Sequence, residues 1–114
     1  MSNITRARNS TKRIAFKWST TTGSGAPVPL DLTGMTLEMI VDTEKVESTP
    51  EAPVRVAAIP GVITNAATGQ AYFPVTVSIT GVIQTLYFEV WVTDANSETY
   101  PIDGGQLKIA GSLK

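Results

Sequence analysis

The sequence predicts an all-β fold, a sandwich of about seven or eight antiparallel strands with a polar N-terminal arm. Three observations lead there. Apolar and polar residues alternate in segment after segment, which is the period of a half-buried strand. Glycine, proline and small polar residues interrupt these segments at intervals of about eight to fifteen residues, and no stretch has a convincing helical period. At 114 residues, 42% hydrophobic and 17% charged, the chain has the size and composition of one folded domain with one core rather than of a disordered segment.

The first strand is "RIAFKWS", residues 13–19, with Ile14, Phe16 and Trp18 on one face and Ala15 and Lys17 on the other. "TTTGSGAPVP", residues 20–29, reads as a loop because its two glycines and two prolines break both helix and ladder. In "LDLTG" Leu30 and Leu32 anchor inward, and Gly34 takes a positive φ without a Cβ clash. "MTLEMIVD" follows, sending Met35, Leu37, Met39 and Val41 to the core and Thr36, Glu38, Ile40 and Asp42 to the opposite face. Met, Leu and Glu also favour a helix here, but the neighbouring segments all read as β, so the strand agrees better with its surroundings.

Residues 42–53 form an acidic, proline-interrupted loop, without the alternating ligands and central glycine of a dedicated calcium loop. "VRVAAI" (54–59) is a short strand, and "PGVITNAATG" an edge piece with a turn at Gly69. "QAYFPVTVSI" (70–79) alternates again, Ala71, Phe73, Val75 and Val77 facing one way, with Pro74 marking an edge or a bulge. The clearest strand is "TLYFEVWVTD" (85–94): Leu86, Phe88, Val90 and Val92 make one stripe, and Tyr87, Glu89, Trp91 and Thr93 the other. "ANSE" turns the chain into a last strand through Leu107 and Ile109.

The chain has no cysteine and no histidine, which removes disulfides, thiolate metal sites and the usual proton-transfer residue near neutral pH. No phosphate-cradling loop occurs, and the scattered carboxylates suggest no shared cleft, so neither an enzyme nor a cofactor is expected. No apolar run approaches the roughly 18 residues of a membrane span, and the basic N-terminus leads into no hydrophobic stretch; synthesis in the cytoplasm and no membrane partner are expected. For the same reason the acceptor patterns "NIT" and "NST" carry little weight.

Charge is unevenly distributed. Arg6, Arg8, Lys12, Arg13 and Lys17 all precede the first acidic residue, Asp31, so residues 1–30 carry +5; the remainder, with four cations against ten carboxylates, carries −6. Residues 1–12 therefore read as a basic arm before a domain spanning 13–114, and the five cations as a candidate partner-binding set; a solvated tail is the plainer reading. No aromatic residue precedes Phe16, so base stacking by the arm is not expected, and nucleic acid is the weakest of the candidate partners. Tyr72, Tyr87 and Trp91 are candidate surface aromatics, although aromatic cross-strand pairs also simply stabilise sheets.

In order, "RIAFKWSTTTGSGAPVPLDLTGMTLEMIV", "GVITNAATGQAYFPV" and "LYFEVWVTDANSETYPIDGGQLKI" resemble the immunoglobulin-like N-terminal domain of tailed-phage baseplate upper proteins and related small phage tail proteins. The likeness spans residues 13–110 and rests on the order of short motifs; "DANSET" stands where the family usually has a glycine turn. The resemblance implies an immunoglobulin-like sandwich and a non-catalytic virion component. Such a component docks onto other virion structural proteins of tail, baseplate or fibre, as a homo-oligomer or in several symmetry-related copies. A capsid decoration or head-fibre protein is the alternative within that class. A host-surface carbohydrate-binding module, stacking sugars on Tyr72, Tyr87 or Trp91, is the alternative outside it. A strand with two apolar faces suggests a further contact, Ile40 being covered by a neighbouring subunit.

Overall fold

The computed structural model describes residues 2–21, 25, 27–43 and 55–111. The strands in chain order are β1 (Ser2–Ala7), β2 (Ile14–Lys17), β3 (Ser19–Thr21), β4 (Pro27–Pro29), β5 (Thr36–Asp42), β6 (Arg55–Pro60), β7 (Val62–Asn65), β8 (Gln70–Phe73), β9 (Gln84–Thr93) and β10 (Thr99–Ala110). One helical turn, α1 (Val77–Thr80), precedes β9, and a 3-10 turn at Ala66–Thr68 links β7 to β8. The fold is all-β. Sheet order is β1-β10-β9-β5-β6 in a five-stranded sheet and β2-β8-β7 in a three-stranded one, with β3-β4 as a separate hairpin.

Both larger sheets contribute to one core. The alternation of β9 turns Leu86, Phe88, Val90 and Val92 inward, and the antiparallel register with β5 sets Leu37 opposite Val92, Met39 opposite Val90 and Val41 opposite Phe88. Ile14, Ala71 and Phe73 supply the other side from β2 and β8, and Leu107 and Ile109 of β10 complete it. Phe73 is fully buried, edge-on to Phe16 at 5.9 Å between ring centroids, and Phe16 stacks on Trp18 at 4.9 Å. Burying one such ring stabilises the fold by about 1.5–3 kcal/mol. The chain crosses between the sheets at Gly61, whose N–H donates to the Leu37 carbonyl at 2.9 Å.

The "DLTG" turn folds as its residues dictate. The Asp31 carboxylate accepts hydrogen bonds from the Thr33 hydroxyl (2.6 Å) and the Thr33 N–H (2.9 Å), Leu32 is fully buried, and Gly34 has φ +75°. In the β9–β10 turn the Asp94 carboxylate accepts from the N–H groups of Asn96 and Glu98.

The structure differs from the sequence reading at five places. Ser2–Ala7 is an edge strand of the five-stranded sheet, paired in parallel with β10, so the segment read as an arm belongs to the domain and the strands are not all antiparallel. With ten strands among the described residues, the count exceeds seven or eight. Part of the 20–29 loop pairs as the β3–β4 hairpin. The strand expected over 70–79 ends at Phe73, because Pro74 has no N–H for the ladder; the chain then coils into α1, burying Ile79 and Thr80 and leaving Val77 54% exposed. Ile40 is only 8% exposed within the single chain, so its burial needs no neighbouring subunit. Most of the acidic loop, residues 44–53, lies outside the described residues.

Candidate interaction surfaces

The five N-terminal cations occupy two adjoining regions. Along β1, Ile4 and Arg6 alternate with exposed Asn3, Thr5 and Ala7, and parallel pairing places Arg6 beside Ile109, on the core side of the sheet edge. Its Nη2 donates to the Arg13 carbonyl and its Nη1 to the Thr5 carbonyl, both at 3.1 Å. Arg8 follows β1, its backbone N–H bonded to the Ala110 carbonyl at 2.8 Å. The Nε atoms of Arg6 and Arg8 are buried and have no hydrogen-bond partner. Ser10 joins this turn to α1 by accepting from the Thr80 hydroxyl at 2.8 Å, and Asn9 donates its N–H to the Thr80 carbonyl at 3.0 Å.

Lys12, Arg13 and Lys17 are exposed. The outer face of the three-stranded sheet carries Ala15 and Lys17 of β2, Gln70 and Tyr72 of β8 and the exposed Val62 of β7. Arg13 lies over the Tyr72 ring, its guanidinium carbon 4.4 Å from the centroid, a contact worth about 0.5–1 kcal/mol at an exposed site. None of β2, β7 and β8 contains a carboxylate, so this face is cationic.

The outer face of the five-stranded sheet has the opposite character. Register sets Trp91 between Glu38 of β5 and Pro101 of β10, Glu89 between Ile40 and Gly104, and Tyr87 between Asp42 and Gln106. Glu38 is exposed, Trp91, Glu89 and Tyr87 are half-buried, and Asp42 is buried. Lys108 lies on the same face, opposite Thr85. Beside Trp91 is a shallow depression of about 220 Å³ lined by Thr36, Leu37, Glu38, Thr93 and Thr99. The hydroxyls of Thr93 and Thr99 are hydrogen-bonded there at 3.1 Å.

The three aromatics therefore do not make one platform. Tyr87 and Trp91 share the outer face of the five-stranded sheet, whereas Tyr72 faces outward from the sheet across the core, beneath Arg13. Alternation within β9 was visible in the sequence, but the partnership of Trp91 with Glu38 depends on register between strands over fifty residues apart in the chain. Sequence reasoning also missed the exposed apolar group Val77, Val82 and Ile83, because it read Val77 as an inward strand residue.

The Asp31 pKa is lowered from its ordinary value by the hydrogen bond from the Thr33 side chain and then by that from the Thr33 backbone. Among the described residues no group of three or more His, Cys, Asp and Glu side chains converges to hold a metal ion, and no helix is long and apolar enough to cross a membrane. No family model matches the chain, and no curated protein sequence matches it.

Proposed function

We propose that this protein is a non-enzymatic structural component of a bacteriophage virion, an immunoglobulin-like β-sandwich that docks onto tail, baseplate or fibre partners in several symmetry-related copies. One observation carries the reading. The segments of the resemblance are neighbours in space as well as ordered in sequence: β5 ("TLEMIVD") lies beside β9 ("QTLYFEVWVT"), which lies beside β10 with its "GGQLKI", and all three line the same core. The charged outer faces of the two sheets are suited to docking, since complementary charge orients and selects partners.

Composition of purified virions tests the proposal. The chain is expected in particles at a fixed ratio to the major structural proteins, and in isolated tails rather than heads; its absence from particles would refute the reading. Recovery with heads at high copy number would instead place it as a capsid decoration or head-fibre protein. The docking role of the cations is tested with Lys12→Ser and Arg13→Ser rather than by removing residues 1–12, because that deletion also removes β1. Unchanged incorporation would exclude these two side chains from docking. The depression beside Trp91 favours one further reading, a host-glycan site: glycan binding lost in Trp91→Ala with folding retained would support it, and absence of glycan binding in the parent protein would end it.

A further inference from the structure

We infer that copies of this chain associate head to tail, the cationic outer face of the three-stranded sheet of one copy lying on the anionic, aromatic outer face of the five-stranded sheet of the next. The inference deepens the assembly reading by naming a self-partner and the two faces involved, and it is tested independently of that reading.

Three features of the fold support it. The chain contains no carboxylate before Asp31 and none between Glu51 and Glu89, and these stretches supply the whole three-stranded sheet. The outward carboxylates of Glu38 and Glu89 come instead from β5 and β9, at the centre of the other sheet. Because the inner faces of both sheets meet in one core, their outer faces lie on opposite sides of the domain, with Arg13 and Lys17 on one and Glu38 and Glu89, near the exposed Lys108, on the other. Each face also offers apolar surface beside its charges, Tyr72, Ala15 and Val62 on the first and Trp91 and Tyr87 on the second. Aromatic anchors ringed by complementary charge are the composition of a specific protein interface.

The faces suit each other better than either suits itself. A twofold dimer through the three-stranded sheet would set Arg13 and Lys17 against their own copies, and one through the five-stranded sheet would oppose Glu38 and Glu89 to theirs. A head-to-tail contact opposes unlike charges and leaves one face of each kind open at the ends. It therefore propagates, closing into a ring where the rotation between copies permits and otherwise extending as a filament. Repetition of a single contact in this way provides the several copies that a virion component requires.

Charge exchange in the purified protein tests the inference. The parent protein is expected to associate with rising concentration in sedimentation velocity, and to dissociate as salt rises from about 0.05 to about 0.5 M, where the screening length falls well below 10 Å. Lys17→Glu offsets Arg13 and so neutralises the cationic face, and Glu38→Lys weakens the anionic one, so each variant alone is expected to associate at least about tenfold more weakly. Mixing the two variants pairs the unaltered anionic face of the first with the unaltered cationic face of the second, and sets the two exchanged charges against each other where the altered faces meet, so it is expected to restore association. Circular dichroism of each variant identifies any that fails to fold, and Arg13→Glu with Glu89→Lys then serves as a second exchange. A monomeric parent at low salt, variants that associate like the parent, or folded variants whose mixture does not recover would each overturn the inference. Virion composition is a separate measurement, so a chain found in particles but indifferent to charge exchange refutes this contact and leaves the proposed function standing.

Discussion

Replacing Gly69 with alanine separates two costs that the sequence alone does not distinguish. Gly69 has φ +72°, and a β-carbon there would lie 2.5 Å from the Trp18 carbonyl oxygen and 2.8 Å from that of Leu30. These groups belong to a crossing of three segments: the Trp18 N–H donates to the Gly69 carbonyl and the Leu30 N–H to the Trp18 carbonyl, each at 3.0 Å. The left-handed backbone costs alanine about 1–2 kcal/mol. Relief of the clash must move backbone and weaken both bonds, at about 1 kcal/mol each, for a total of about 3–4 kcal/mol. At roughly 4 °C per kcal/mol for a domain of this size, the melting temperature falls by about 12–16 °C.

Gly34 provides the control. Its φ is nearly the same, +75°, but its added β-carbon would meet only the Ala95 Cβ at 3.8 Å, an ordinary contact. Gly34→Ala should therefore cost only the backbone term, about 1–2 kcal/mol. The effect of alanine on the unfolded chain is common to both variants and cancels in the comparison. Thermal unfolding followed by circular dichroism or calorimetry measures the difference. Equal losses at the two positions would refute the crowded crossing around Gly69 and leave φ as the whole effect.

Four further outcomes are expected. Phe73→Ala removes a fully buried ring and should cost about 3–5 kcal/mol, read as a lower urea midpoint at unchanged slope. Trp18→Phe keeps the stacking on Phe16 but loses the 2.9 Å hydrogen bond from the indole Nε1–H to the Asp103 carboxylate, a bond to a charged group worth about 1.5–3 kcal/mol; a double-mutant cycle with Asp103→Ala, which removes the acceptor, isolates it. Asp31, with its pKa lowered in the fold, binds fewer protons folded than unfolded, so its stabilisation is present above the ordinary 3.8 and is lost as pH falls through the folded value. Thr33→Val should raise that pKa and flatten the acid limb of stability, as NMR titration of the Asp31 carboxyl and acid-unfolding curves would record. Deleting residues 2–7 should unprotect to hydrogen exchange those amides of Gly105–Ile109 that point to β1, leaving the ones bonded to β9 protected, whereas unchanged protection throughout would mean that β1 is not paired there.

Much of the framework is legible locally. In 85–94 the alternation is strict enough to identify the strand and its inward stripe, because a period of two leaves only one face apolar; in 35–42 the inward stripe is legible too, although Ile40 and Asp42 of the opposite face are also buried. "DLTG" and Gly69 are legible for a different reason, since short side chains and a missing Cβ suit particular backbone conformations. "SNITRA" gives no comparable signal. It carries a single large apolar residue, Ile4, and becomes a strand through backbone pairing with β10, a partner about a hundred residues away. α1 is equally hidden, because its valine and isoleucine read as strand residues and only the missing N–H of Pro74 hints that the ladder stops.

The sequence by itself determined that the chain is β-rich, which residues of its clearest strand face inward, and that cations crowd its first thirty positions and carboxylates the rest. Tertiary structure alone decided what those charges do. It incorporated the basic N-terminal segment into a sheet edge, set Glu38 beside Trp91, and placed Lys17 and Tyr72 on the opposite side of the core. The physical reason is that the direction of a side chain within a strand is set by its nearest neighbours, whereas strand order and register are set by backbone hydrogen bonds and core contacts between residues far apart in the chain.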